Sequence, residues 1–220
     1  MPAFSSTAAI FRIEPFKPIG HFPSHCPVSA DRLRDVTVSY YDFQGSPHQD
    51  GHIIVLDAVA KHVVAIFQRL YDMKFPIDKI RPVQEYNNDD NASMRANNSS
   101  SFNCRPMTGK PPGSLPSIHA YGLAIDINPI QNPYISFDPK RLSVTEILPV
   151  LGKEYVHRHP IRPGMVESIV PIFREQGFSV WGGNWKTPID YQHFQTTRAI
   201  AEQLAQKNPQ EAEKFFETTR

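Results

Sequence analysis

The sequence predicts an α+β fold, with a small, mainly antiparallel sheet and flanking helices. Strand-like and helix-like segments do not alternate regularly along the 220 residues, as a doubly wound parallel sheet would require. Proline is abundant at 21 and glycine modest at 11, so regular elements should be short and separated by shaped loops. Hydrophobic residues make up 40 % of the chain, enough to bury one core of ordinary size.

The elements follow in order. Residues 36–43 alternate and are rich in β-branched and aromatic side chains. The run Gln44-Gly45-Ser46-Pro47 breaks the pattern and residues 53–56 resume it, giving two strands joined by a loop. Asp57 is placed to cap a helix on which Val59, Val63, Ile66, Phe67 and Leu70 recur at helical spacing. That stripe is expected to pack into the core. Residues 79–86 read as a strand and 87–100 as a polar loop. Residues 101–105 read as another strand, before a connection through Gly109 and Gly113. Residues 123–128 form a short apolar strand closed by Pro129. Residues 163–176 carry apolar side chains at 166, 169, 170 and 173, with Gly177 as a stop, and predict a helix. Residues 178–181 give a last strand, and the tail from Thr196 is helical with an interruption near Asn208-Pro209.

The formal net charge is +1, from 23 basic and 22 acidic side chains, and no run of Lys or Arg stands out. Nucleic acid is therefore not an expected partner. No apolar stretch reaches 18 residues, so no membrane span is expected. Residues 1–20 lack the basic-then-apolar order of a secretory leader. Any role outside the cell is thus expected to rely on lysis, a dedicated secretion machine, or a leader already trimmed. Cys26 and Cys104 are too far apart in sequence for a paired-thiol zinc site. They read either as one disulfide of an oxidising compartment or as two buried small apolar side chains.

The residues that carry chemistry lie in three segments: Ser117-Ile-His119-Ala-Tyr-Gly122-Leu-Ala-Ile-Asp126, Trp181-Gly-Gly-Asn-Trp185 and Asp190-Tyr-Gln-His193-Phe. Catalytic zinc takes three protein ligands and keeps one position open, and imidazole and carboxylate are suitable donors. His119 and Asp126 lie seven residues apart around Gly122, so the chain can turn and bring both to one ion, with His193 as the third ligand. Such a set leaves zinc formally +1, positive enough to acidify water. Asp190, three residues before His193, is placed to act as general base. Taken singly, His119 also fits a hydrogen-bonded structural role, and Asp190 a loop or cap role.

The pattern Ser117-x-His119-x-x-Gly122-x-Ala124-x-Asp126 resembles the signature of the VanY-type zinc peptidases. These are the D-alanyl-D-alanine carboxypeptidases and L-alanyl-D-glutamate endopeptidases acting on bacterial cell-wall peptides. Trp-Gly-Gly-x-Trp followed by Asp-x-x-His-Phe resembles their second signature, and Phe102-Asn103-Cys104-Arg105 sits where the family places a substrate-contacting arginine. The resemblance spans residues 101–194 and is weaker over the first hundred. It implies a hedgehog/D-Ala-D-Ala-peptidase-like fold in a single domain, residues 1–75 being an extension packed on a catalytic core of 76–220. It implies one zinc ion held by His119, Asp126 and His193, with Asp190 as general base and Arg105 gripping the peptide. Arg95 is the rival for that last role.

Ser117 is expected to contact substrate or to orient His119, and Trp181 and Trp185 to wall the cleft or pack in the core. An aspartate at 190 leans towards the endopeptidase branch, since the dipeptidase branch has glutamate there. Tyr191 stands where lysostaphin-type enzymes have a further histidine, so their mechanism is not implied. Residues 138–163, with His157 and His159, are expected to form a flap over the site. The implied substrate is a peptidoglycan stem peptide and the implied location periplasmic or secreted. The hedgehog domains share the fold without established peptidase activity. A catalytically silent zinc-containing wall-binding module, or a wall-degrading toxin or lysis factor, are therefore alternative readings.

Overall fold

The computed structural model describes residues 8–108, 111, 113–138, 140 and 143–220. Gly109, expected in the connection after residue 105, lies outside them. The chain opens with strand β1 (Phe11–Pro15), β2 (Leu33–Tyr41) and β3 (Pro47–Leu56), which pair antiparallel in the order β1-β2-β3. The two strands expected here are longer than their apolar runs, because the hairpin register from Leu33↔Leu56 to Tyr41↔Pro47 recruits polar neighbours. A 3-10 turn, Asp57–Val59, leads into helix α1 (Ala60–Asp72), whose buried stripe is Val63, Ile66, Phe67 and Leu70, with Val59 buried just before it. Asp57 does not cap the helix. Its carboxylate instead receives a two-pronged hydrogen bond from the buried Arg32 guanidinium, at 2.6 and 2.9 Å, and Arg32 also donates to Lys207 O at 2.6 Å.

The segment expected as one strand over 79–86 stops early. Strand β4 is only Lys79–Ile80, because Pro82 has no N–H for a ladder and a 3-10 turn, Val83–Tyr86, follows. The polar loop expected next contains a helix, α2 (Asp90–Arg95), whose N-cap Asp89 accepts from Ala92 N. Strand β5 (Asn98–Ser99) pairs parallel with β4, so the strand expected over 101–105 lies upstream of its predicted place. A 3-10 turn (Ile118–Tyr121) precedes β6 (Ala124–Asp126). A hairpin of β7 (Tyr134–Phe137) and β8 (Val144–Leu148) follows. Helix α3 (Val170–Glu175) is shorter than predicted: residues 166–169 form a 3-10 turn, and Pro171 is accommodated in the first turn. Then come β9 (Val180–Trp181), β10 (Ile189–Asp190), β11 (His193–Gln195) and helices α4 (Arg198–Gln206) and α5 (Pro209–Thr219), split at Asn208-Pro209 as expected.

The result is α+β, and the described residues form three small antiparallel sheets (β1-β2-β3, β10-β7-β8 and β6-β11-β9) and a parallel pair where one sheet was expected. Buried side chains from Phe16 to Phe216 form a continuous cluster, in which Phe67, Phe173, Phe178, Phe194 and Phe216 are the largest that are fully buried. The Phe173 and Phe194 rings stack at 4.0 Å directly behind β11, which fixes the strand carrying His193. Cys26 and Cys104 are joined in a disulfide, which settles the open question about them. Among the described residues no helix is long and apolar enough to cross a membrane.

Candidate metal centre

Strands β6 and β11 pair so that Asp126 and His193 stand directly opposite each other. Side chains in such a pair leave the sheet on the same face with Cβ atoms about 5 Å apart. His119 arrives from the 3-10 turn before β6. Ser117 caps that turn, its Oγ accepting from His119 N at 3.3 Å. The turn ends at Gly122 with φ +67, in the left-handed region, and a Cβ there would sit 2.7 Å from Leu56 N. Glycine thus lets the turn press against the end of β3 and directs His119 inward.

The three side chains converge. His119 Nε2 is 3.1 Å from His193 Nδ1 and 3.1 Å from Asp126 Oδ2, and His193 Nδ1 is 3.0 Å from Asp126 Oδ1. All three residues are buried. The far ring nitrogens are already engaged: His119 Nδ1 lies 2.6 Å from Ser101 O, and His193 Nε2 lies 2.7 Å from Gln195 Oε1. Both partners are acceptors, so both far nitrogens carry the hydrogen when the rings are neutral. The near nitrogens then present lone pairs to each other beside a carboxylate, an arrangement that only a proton or a cation can reconcile. The group could hold a metal ion. Hydrogen bonds on the far nitrogens are the usual support of imidazole ligands.

The electrostatics agree. Burial alone would raise the pKa of Asp126, but His119 and His193 hold its carboxyl well below the usual carboxylate range. Burial alone would lower that of His193, yet Asp126 and then Asp190 push it up to about 9. The pocket is built to retain positive charge.

Asp190 lies on β10 opposite Tyr134 of β7. A Cβ on Gly182 would come within 2.4 Å of Asp190 O, so the Trp-Gly-Gly segment needs glycine for this approach. Asp190 is half-buried, but its Oδ1 is sealed from solvent without a hydrogen-bond partner. Burial, reinforced by Asp126, pushes its pKa up to about 6 against the opposing pull of His193. A carboxylate so tuned can take up and release a proton near neutrality.

Asp190 and Arg105 line both lobes of a cleft that passes the His119, Asp126 and His193 cluster. Arg105 Nη2 pairs with Asp90 Oδ2 at 2.8 Å, so α2, which the sequence hid, holds the guanidinium in place. Arg95 is exposed and lines neither lobe. Ser117 lines the smaller lobe. Trp181 packs inward: its ring stacks on Phe194 and its Nε1 donates to Tyr191 O at 2.8 Å. It is Trp185 that lines the cleft, 5.3 Å from the His193 ring. The stretch expected as a flap supplies β8, whose Glu146 and Leu148 wall the larger lobe. Its histidines, His157 and His159, are exposed and outside the cluster of His119, Asp126 and His193. Residues 139, 141 and 142 of that stretch lie outside the described residues.

Gln195 and the Ser101 carbonyl were not singled out from sequence. Gln195 could have been, since residues two apart on a strand share a face and it follows His193 at that spacing.

Compared with known families, residues 112–196 match the model described as D-alanyl-D-alanine carboxypeptidase. That span holds His119, Asp126, Asp190 and His193, while Arg105 precedes it. Peptide hydrolysis is the activity the match implies. No curated protein and no solved structure matched the chain.

Proposed function

We propose that this chain, matched over residues 112–196 by the D-alanyl-D-alanine carboxypeptidase family, is a zinc-dependent peptidase cutting a bond in peptidoglycan stem peptides. The observation that carries the reading is the pair of facing imidazole lone pairs, 3.1 Å apart beside Asp126, with both far nitrogens already engaged. His119, Asp126 and His193 would hold one zinc ion. When bound, the ion supplies Lewis acidity, polarising a carbonyl and acidifying water.

The remaining work falls to side chains of this chain. Asp190 accepts the proton of the attacking water and returns it to the leaving amine, which its raised pKa suits. Arg105, steadied by Asp90, offers its guanidinium to a peptide carboxylate or carbonyl. Ser117 caps the turn of His119 and is close enough to the smaller lobe to touch substrate. Trp181 backs β11, and Trp185 offers the apolar wall. A substrate outside the cytoplasm implies a periplasmic or secreted site of action.

The test is to load the purified protein with zinc, measure bound metal, and digest purified muropeptides with mass-spectrometric analysis of the products. Stoichiometric zinc and a defined peptide cleavage are expected, both lost in His119→Ala. Cleavage that persists in His119→Ala after zinc binding is gone would sink the reading.

A further inference from the structure

The proposed base and the proposed ligand that follows it in sequence belong to different sheets. Asp190 sits on β10, in the sheet β10-β7-β8, and His193 on β11, in the sheet β6-β11-β9. Residues 191 and 192 turn the chain from one sheet to the other. His193 is braced by the register of β11 with β6 and by the Phe173 ring stacked behind that strand. Asp190 has less support of its own. Its Oδ1 has no hydrogen-bond partner, and Gln192, whose side chain does bond its carboxylate, belongs to the same turn. The place of Asp190 relative to His193 therefore depends on how the turn is held.

The turn is gripped at Tyr191, which lines neither lobe of the cleft. Its N donates to Pro133 O at 3.3 Å, and its O accepts from Trp181 Nε1 at 2.8 Å. Its ring lies against the guanidinium of Arg158, whose central carbon is 4.2 Å from the ring centre. A guanidinium laid on an aromatic face is attractive and also sets the orientation of the ring. Arg158 is itself immobilised. Its Nε and Nη2 donate to the Glu167 carboxylate at 2.6 and 2.9 Å. Nη2 also donates to Asn132 Oδ1 at 2.8 Å, and Nη1 to Gln131 O and Tyr155 O at 2.6 and 3.1 Å. These five bonds use all five N–H donors of a guanidinium, which leaves its flat face for Tyr191. Arg158 lines neither lobe, so this network touches the cleft only through the turn.

We propose that Arg158 is a positioning residue: through Tyr191 it fixes the turn at 191–192 and so holds the Asp190 carboxylate in register with His119, Asp126 and His193. The catalytic consequence rests on Asp190 being the base in the peptidase reading above, whereas the clamp on the turn does not. Arg158 belongs to the stretch expected as a flap, and it acts from behind the site. A shift of about 1 Å in a catalytic group costs roughly a hundredfold in rate, even when the change that causes it lies away from the chemistry.

The experiment compares Tyr191→Leu, Tyr191→Phe and Arg158→Lys in the full chain, for zinc affinity and for muropeptide cleavage. Tyr191→Leu removes the ring and keeps apolar bulk. It is expected to lower kcat about tenfold to a hundredfold while KM and zinc affinity stay within twofold. Tyr191→Phe keeps the ring and should recover the rate. Arg158→Lys keeps the charge but not the plane and should resemble Tyr191→Leu; if it does not fold, Tyr191→Leu carries the test. In an Asp190→Asn background Tyr191→Leu should cost nothing further, which separates a loss routed through the base from general loosening. An unchanged kcat in Tyr191→Leu, an equal loss in Tyr191→Phe, a matching fall in zinc affinity, or a full further loss in the Asp190→Asn background overturns the proposal. A second readout needs no catalysis: amide hydrogen exchange over residues 189–193 in chelator should quicken in Tyr191→Leu and not in Tyr191→Phe. If the natural protein cleaves no muropeptide, the peptidase reading falls and exchange alone decides the clamp. Faster exchange in Tyr191→Leu then upholds it, and unchanged exchange overturns it.

Discussion

His119 and His193 face the same point but are supported differently, and the difference can be measured. His119 is held by a main-chain carbonyl, which no substitution removes, whereas His193 depends on the side chain of Gln195, 2.7 Å from its Nε2. Gln195→Leu leaves a buried N–H without an acceptor. It also frees the ring to carry its hydrogen on Nδ1, the atom aimed at Asp126. Stranding a buried donor costs about 1–3 kcal/mol, and loss of such outer hydrogen bonds lowers metal affinity roughly 10- to 100-fold. The two figures agree, since about 1.4 kcal/mol is one factor of ten. Gln195→Glu keeps the acceptor and adds negative charge, so its affinity should equal or exceed that of the natural protein. The assay is competition for zinc with a chromogenic chelator at pH 7, with circular dichroism to confirm folding. An affinity in Gln195→Leu within twofold of the parent, in a folded protein, would refute the tautomer argument and the reading of this site as a metal centre built on fixed imidazoles.

Three further outcomes are expected. Asp190→Asn should bind zinc normally yet lose about 10²–10⁴ in kcat, the usual worth of a positioned proton-transfer group; unchanged turnover would remove Asp190 from the mechanism. The pH dependence of the metal-free protein follows from His193, whose pKa is raised to about 9. A raised value stabilises the fold below the unfolded pKa near 6.5 and loses that contribution as pH rises through about 9. At about 1.4 kcal/mol per pH unit the loss is roughly 3 kcal/mol. Thermal denaturation in chelator should therefore show a falling midpoint over that window. Zinc affinity should rise with pH over the same window as the competing proton leaves, and calorimetry in buffers of different ionisation enthalpy would count it. Finally, Asp57→Ala strands the buried Arg32 guanidinium and should cost about 3–5 kcal/mol in urea denaturation; a loss below 1 kcal/mol would mean that Arg32 finds other partners.

The cluster of His119, Asp126 and His193 was legible because its residue types are unusual together and follow one another in a recognisable order. What brings them together was not legible. That Asp126 and His193 are cross-strand partners depends on the register of β6 and β11, which are three residues each and too short to show a period. Helix α2 was hidden because only its cap, Asp89, marks it within a polar run. Its contribution to the cleft, Asp90 against Arg105, was hidden with it. The β7–β8 hairpin escaped because its second strand is mostly solvent-facing and lacks the alternation that marks a half-buried strand. The two tryptophans could not be told apart by type; the stacking of Phe194 on Phe173 and Trp181 determines which one faces inward.

The bond between Cys26 and Cys104 joins positions 78 residues apart and ends one residue before Arg105. A loop of that length removes about 4.5 kcal/mol of chain entropy from the unfolded state, on the simplest polymer account. The covalent consequence is separate from the energetic one. Between the two cysteines lie β2, β3, α1, β4, α2 and β5. A single proteolytic nick anywhere in that span leaves two fragments that remain one molecule, and the arginine side of the cleft stays tethered to the N-terminal segment. Such a nick adds only one water to the intact mass, and the fragments separate only after reduction.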